Sequence, residues 1–312
     1  MPSSPAAQSR FDQARPWINR VVWAAQVLLV GAGLGSALAS HSRPVQVVGT
    51  LLAWAVWTVG LVGVAFAHPI GLTSIRLCLT ALVGAAGWVL VAGGPAIWQR
   101  GTALIGAIAA VALLGSAETA TWCVDGPSYP NESRHALKTP IGLLPITLIV
   151  CALTVSSAVA APLLLAARAW AIGAVMVAVA SGSAWVGTRS LHQLSRRFVV
   201  FVPAGFVVHD HLSLFDPVLF RRNVVEWMGL AAIDTDSLDL TLGATGMPLE
   251  VHLTEKVELT KLSNDRKTGE AGRTARFLVS PMRPGAVLRE ANARRYLLSS
   301  KQPRTSFEKV AD

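Results

Sequence analysis

Six stretches of the first 188 residues contain no Asp, Glu, Lys or Arg: 21–42, 44–75, 77–99, 101–117, 139–167 and 169–188. Most are rich in Val, Leu, Ala, Ile and Trp. About 20 apolar residues in a helix cross a bilayer core, and lipid offers a backbone N–H or C=O no partner outside its own helix. These stretches therefore predict an α-helical membrane domain of about six transmembrane helices over residues 18–188. The expected spans are about 18–40, 45–67, 74–92, 101–118, 141–162 and 169–188. Residues 1–17, with Pro2, Pro5 and Pro16, are expected to be a disordered tail.

The charge distribution marks a second region. Residues 189–312 hold 18 of the 27 Lys and Arg and 14 of the 18 Asp and Glu. Here apolar residues alternate with polar ones, as in a half-buried strand. Phe198–Val202 and Phe206–Val208 flank the turn Pro203-Ala204-Gly205, and Leu238, Leu240, Leu242 and Leu249, Val251, Leu253 follow the same period. Val257–Leu262 and Ala275–Ser280 continue the pattern around a polar loop at 263–274, and 286–298 reads as a closing helix. Residues 189–300 are thus expected to form a soluble β-rich α+β domain, with 301–312 a disordered tail.

The net charge of +9 divides into +5 for the first 188 residues and +4 for the rest. Neither part has the concentrated basic face that nucleic acid requires, so no nucleic-acid partner is expected. The basic residues do carry topological information. With both termini on one side, the segments there bear Arg10, Arg15, Arg20, Arg76, Arg134, Lys138, Arg189, Arg196 and Arg197, against Arg43, Arg100 and Arg168 on the other. Positive charge concentrates in cytoplasmic segments, so a multi-pass plasma-membrane protein with cytoplasmic N and C termini is expected. The loop at 119–139, with its Asp125-Gly126-Pro127 run, would suit either side. An Ala37-Leu38-Ala39 sequence after the first apolar stretch suits signal-peptide cleavage as well as an uncleaved first span; the latter is favoured because later spans already anchor the chain.

Candidate chemistry is sparse. In a strand His209 and His211 would share a face, and with Asp216 they could hold a metal; a strand end running into a polar turn accounts for the same residues. Asp234 and Asp236 form a D-x-D pair of the kind that binds a divalent cation, and equally read as a solvated turn. Neither has a completing motif, so no catalytic residue, metal or cofactor is expected. His252 and Asp239 are the distant residues able to complete such a site. Glu118, placed at the end of the fourth span, is an intramembrane carboxylate and by that fact a functional candidate. Cys78, Cys123 and Cys151 form no CxxC or Cys/His cluster and imply no disulfide framework. Arg189, Arg196, Arg197, Arg221 and Arg222 are candidates for contact with a partner or the anionic inner leaflet, each contributing about 1 kcal/mol if it faces that surface.

Strands followed by one terminal helix, together with the hairpin Arg196–Asp210, resemble a bacterial pleckstrin-homology-like module fused to apolar spans. The segments Asp216-Pro217-Val218-Leu219-Phe220 and Ser280-Pro281-Met282-Arg283-Pro284-Gly285 resemble uncharacterised actinobacterial polytopic membrane proteins. That resemblance implies no activity. The expected function is an integral membrane scaffold or accessory protein, whose partners are the bilayer and another protein or a second copy of itself. Two alternatives are a small-solute transporter or channel lined by Gln26, Thr58, Thr147 and Ser156, and a membrane enzyme using His209/His211 or Asp234/Asp236.

Overall fold

The structure is a computed structural model that describes residues 10–232, 234–262 and 268–298. It divides into two compact units. One comprises residues 1–128 and 142–196, the other 129–141 and 197–312.

The first unit contains six helical segments long and apolar enough to cross a membrane: Gln13–Leu38, Arg43–Ala65, Pro69–Val91, Ile97–Leu114, Ile141–Ala166 and Trp170–Ser195. The chain is a multi-pass membrane protein. The first segment is built of α1 (Arg10–Ala24), α2 (Gln26–Leu29) and α3 (Gly31–Leu38). The helix thus begins inside the stretch expected to be disordered. The next three spans are α4 (Arg43–Ala65), α5 (Pro69–Val91) and α6 (Ile97–Leu114). Pro44 and Pro69 each occupy a first-turn position, where the missing N–H has no intrahelical partner to lose. The Nδ1 of His68 accepts from the Ile70 N–H and caps α5.

A short helix, α7 (Ala117–Asp125), follows α6, capped by Ser116, whose Oγ accepts from the Thr119 N–H. The last two spans are α8 (Leu144–Ala166) and α9 (Trp170–Ser195). Their turn is as tight as the sequence suggests, with Arg168 at φ 64°. Pro162 lies within α8 instead of ending it, and α9 runs seven residues past the expected limit of 188.

Close approach holds this unit together. A Cβ on Gly60 would lie 2.1 Å from the Trp23 ring. The Trp23 indole is 1% exposed and donates to the Trp57 carbonyl at 2.7 Å. Trp23 is therefore a packing residue inside the unit. Trp17, Trp98 and Trp170 are exposed near span ends, where the amphipathic ring suits the interface, and Trp185 is exposed ten residues before the end of α9. Between α8 and α9, Thr154 donates to the Ser183 carbonyl and the Ser157 and Ser183 hydroxyls lie 3.1 Å apart. Such bonds join helices where lipid gives no hydrophobic force between them.

The second unit has two four-stranded sheets. The first, β1 (Ser133–Ala136), β2 (Phe198–Val202), β3 (Gly205–His209) and β4 (Val218–Arg221), is antiparallel and runs in that order. The second contains β5 (Val225–Leu230), β6 (Leu238–Asp239), β7 (Leu249–Leu262) and β8 (Gly269–Val279), ordered β5-β7-β8-β6. The helix α10 (Pro284–Ala293) follows. Phe201, Phe206, Phe220, Phe277, Met228, Leu249 and Val287 all lie in one core drawn from both sheets and the helix.

Several expected boundaries move. The two runs at 249–253 and 257–262 are a single strand with an irregularity between His252 and Val257. β8 begins at Gly269, inside the expected loop; residues 263–267 lie outside the described residues, as does the expected tail at 301–312. The closing helix stops at Ala293, after which Arg295 takes a positive φ and Leu298 forms a bridge with Met228. The largest change concerns residues 129–141. They belong to the C-terminal unit and supply its edge strand β1, with Arg134 opposite Val200 and His135 opposite Val199.

Candidate functional site

Arg197 is the first residue of the C-terminal unit after α9. Its guanidinium donates from Nε and Nη2 to the two carboxylate oxygens of Asp210, both at 2.7 Å. Nη1 donates to the Lys138 carbonyl at 2.8 Å, and the Leu137 N–H donates to the Arg197 carbonyl at 3.0 Å. Arg197 and Asp210 are each 2% exposed. A surface role for Arg197 is therefore excluded: its charge is spent inside the domain, fastening the segment after β1 to β2 and to the turn after β3. Burial pushes the Asp210 carboxyl up, but the bonds from Arg197, Leu212 and Ser213 outweigh it and hold it below the usual carboxylate range.

The neighbouring histidines do not gather ligands. His209 stacks on Phe198, with ring centroids 4.6 Å apart, across the β2–β3 pair. His211 is half-buried in the following turn and Asp216 is exposed. Among the described residues there is no group of three or more His, Cys, Asp or Glu arranged to hold a metal ion.

A different polar cluster forms on the second sheet. Glu250 is buried, and its Oε1 accepts from Thr235 Oγ1 at 2.8 Å and Ser237 Oγ at 2.5 Å, with His252 Nε2 at 3.0 Å. The His252 ring stacks on Trp227 at 3.8 Å. Burial raises the Glu250 pKa, and the bonds from Ser237, Thr235 and His252 lower it further than burial raises it. All three contacts fall on Oε1 and tie the carboxylate to its neighbours. The cluster pins the 235–237 segment to β7. Sequence reasoning missed it, although Glu250 and His252 stand two apart on a strand and Thr235 and Ser237 two apart before it. The D-x-D pair flanks this segment: Asp236 pairs with Arg276 at 2.9 Å, and Asp234 is exposed. Asp239 accepts from the Thr241 N–H.

Glu118 is not at the end of a span. α6 stops at Leu114, and Glu118 lies in the first turn of α7, where a carboxylate complements the helix N-terminus. It forms an ion pair with Arg15 at 3.5 Å, beside the buried bond from Thr119 to Asn19. Of the proposed pore-lining residues only Gln26 is buried. Thr58 and Ser156 are exposed on their helices, while Thr147 and Ser156 donate to carbonyls of their own helix or its first turn. They do not make a common buried path.

The remaining cationic candidates lie outside the cores. Arg189 is exposed on α9, Arg196 is exposed at its end, and Arg221 and Arg222 are exposed on and after β4. Arg222 donates to the Arg294 carbonyl and lies 5.1 Å from the Tyr296 ring. The end of β4 and the C-terminal end of α10 thus bring Arg221, Arg222, Arg294 and Arg295 into one neighbourhood. Arg294 also pairs with Glu290 at 2.6 Å.

His135, on β1, had no role in the sequence reading. It is 8% exposed and meets Phe201 edge-on, and neither ring nitrogen has a hydrogen-bond partner among the described residues. Burial, opposed by Glu290 and aided by Arg283, Arg294 and Arg289, pushes its pKa down to about 4. No family model, curated protein or solved structure matches the chain.

Proposed function

We propose that this chain is an integral membrane scaffold or accessory protein. Its C-terminal domain faces the cytoplasm and binds the acidic surface of a partner protein or the anionic inner leaflet. The observation that carries this reading is the exposed basic neighbourhood of Arg221, Arg222 and Arg295, where β4 ends beside the end of α10. Exposed Leu219 and Leu297 add apolar area close by in the chain, and a basic and apolar surface suits an acidic amphipathic partner. The basic residues named for the two sides of the spans, nine against three, support cytoplasmic termini and a plasma-membrane location. Two four-stranded sheets followed by one helix support the pleckstrin-homology-like resemblance at the level of element order.

The test uses the full chain. The tagged protein is captured in mild detergent from cells, alongside Arg221→Glu with Arg222→Glu. A co-purifying partner retained by the wild type and lost from the charge-reversed variant, at equal membrane insertion, is expected. Identical partner and lipid content in both would defeat the reading.

A further inference from the structure

At the end of the bundle where α9 leads out of the membrane, α5 and α9 touch through polar groups. The Thr73 and Ser195 hydroxyls lie 3.1 Å apart, and Arg76 donates to Ser195 Oγ at 2.9 Å. Beside this junction the two helices leave a groove of about 400 Å³, lined by Ile70, Ser74, Leu77, Trp185, Arg189 and His192 among others. Ile70 is 58% exposed and Trp185 73% exposed. Both are therefore on the outside of the bundle, Ile70 at the start of α5 and Trp185 within the apolar part of α9.

The groove has two chemically distinct parts. With a rise of 1.5 Å per residue, Arg189 stands about 9 Å from the end of α9 at Ser195, near the boundary between headgroups and acyl chains. The antiparallel contacts Thr73–Ser195 and Arg76–Ser195 place Ser74, Leu77 and His192 nearer the end of α9 than Arg189, and Trp185 about one turn deeper. Among the described residues Arg189 has no carboxylate within ion-pair distance. A guanidinium at the headgroup boundary without a carboxylate is free to meet an anion, and at this depth a lipid phosphate is within reach. It matches phosphate oxygens with paired donors, and the apolar floor matches an acyl chain.

We propose that the groove between α5 and α9 is a binding site for one anionic phospholipid. Its headgroup phosphate meets Arg189, with Ser74 and His192 on the headgroup side, and one acyl chain lies along Trp185. The proposal is independent of what the C-terminal domain binds, since every residue in it belongs to the membrane unit.

The test is native mass spectrometry of the full-length protein. The protein is equilibrated in mild detergent with phosphatidylglycerol and phosphatidylcholine of the same chain length. The wild type should retain one phosphatidylglycerol in preference to phosphatidylcholine, by about fivefold for the one basic contact. Arg189→Gln should bring the two lipids to parity, and Arg189→Lys should keep most of the preference. Arg168→Gln, at the opposite end of α9, should leave it unchanged. Equal retention of the two lipids by the wild type, or undiminished preference in Arg189→Gln, would overturn the proposal. Should Arg189→Gln fail to fold, Thr188→Trp, which fills the groove from its lipid-facing side, gives a second reading. It should displace the bound phosphatidylglycerol, and continued retention would overturn the site.

Discussion

The two units of this protein solve the same problem, satisfying every backbone group, in opposite ways. Each span satisfies its own backbone, because an α-helix closes its bonds within one continuous segment. The C-terminal domain satisfies its strands only with partners from elsewhere in the chain. Its edge strand, Ser133–Ala136, comes from before α8 and α9, and pairs with Phe198–Val202 after them. The chain must therefore cross the membrane and return before the domain can close. The lesson is that the loop at 129–141 is not a connector hung between spans. It is part of the domain, and it must lie on the same side of the bilayer as the C-terminal residues.

The largest effect expected from this contrast follows from removing β1. Replacing residues 131–139 with a Gly/Ser linker of equal length should prevent the C-terminal domain from folding while the six spans insert normally. Limited proteolysis would then degrade 197–298 and spare the helices. A protected C-terminal domain in that variant would show that β1 is dispensable, and that residues 197–298 fold without it.

Breaking the Arg197–Asp210 pair comes next. Arg197→Ala leaves a carboxylate buried without its cation, which costs about 3–5 kcal/mol. Arg197→Met combined with Asp210→Leu should be less damaging than either single change, because no charge is left stranded. Thermal unfolding of the C-terminal domain in the full-length protein would measure both. Asp210 is held below the normal carboxylate range, so its contribution is present above about pH 4 and is lost as the pH falls through its folded value.

His135 gives the C-terminal domain a pH dependence of its own. Its folded pKa of about 4 lies below the unfolded value of 6.5, so the unfolded chain binds the proton first. Stability conferred by the neutral ring is intact above about pH 6.5. It falls as the pH drops towards 4, by about 3 kcal/mol when complete. His135→Leu should flatten this part of the acid limb, measured as the pH dependence of domain unfolding. The helices of the membrane unit should show no matching change.

The smallest effect belongs to the membrane unit. Gly60→Ala places a Cβ against the buried Trp23 ring and should cost about 1–3 kcal/mol through overpacking. Gly84→Ala, where a Cβ meets nothing within 4 Å, is the control and should cost little. Thermal stability in detergent would distinguish the two, and equal losses would mean that close helix approach at Gly60 does not hold the bundle.

The sequence exposed the two regions unequally, for the same physical reason. Six charge-free stretches locate six spans because the bilayer imposes its requirement on each segment separately. Hairpin β2–β3 is legible too, since Pro203-Ala204-Gly205 joins two strong apolar runs. β1 is not: Ser-Arg-His-Ala has neither strand propensity nor alternation of its own, and it is a strand because β2 offers it an edge. Likewise Asp210 is visible as part of His209-Asp210-His211. Its role depends on Arg197, thirteen residues earlier, and on the Lys138 carbonyl, which no local pattern announces. Glu118 was misplaced because a span ending at Leu114 and a capped helix beginning at Ala117 look continuous in hydropathy.

Disulfide trapping across β1 and β2 in the full-length protein shows whether Ser133–Ala136, within the 129–141 segment, is the edge strand of the C-terminal domain. Cys78, Cys123 and Cys151 are first replaced, and cysteines are introduced at Arg134 and Val200, which face each other in the register. A pair displaced by two residues, Arg134 with Val202, is the comparison. Cysteines must approach within about 7 Å between Cα atoms to bridge. Rapid oxidation of the 134–200 pair, with little of the 134–202 pair, is the expected result. No bridge in either, with position 134 labelled from the opposite side of the membrane to position 200, would contradict the account.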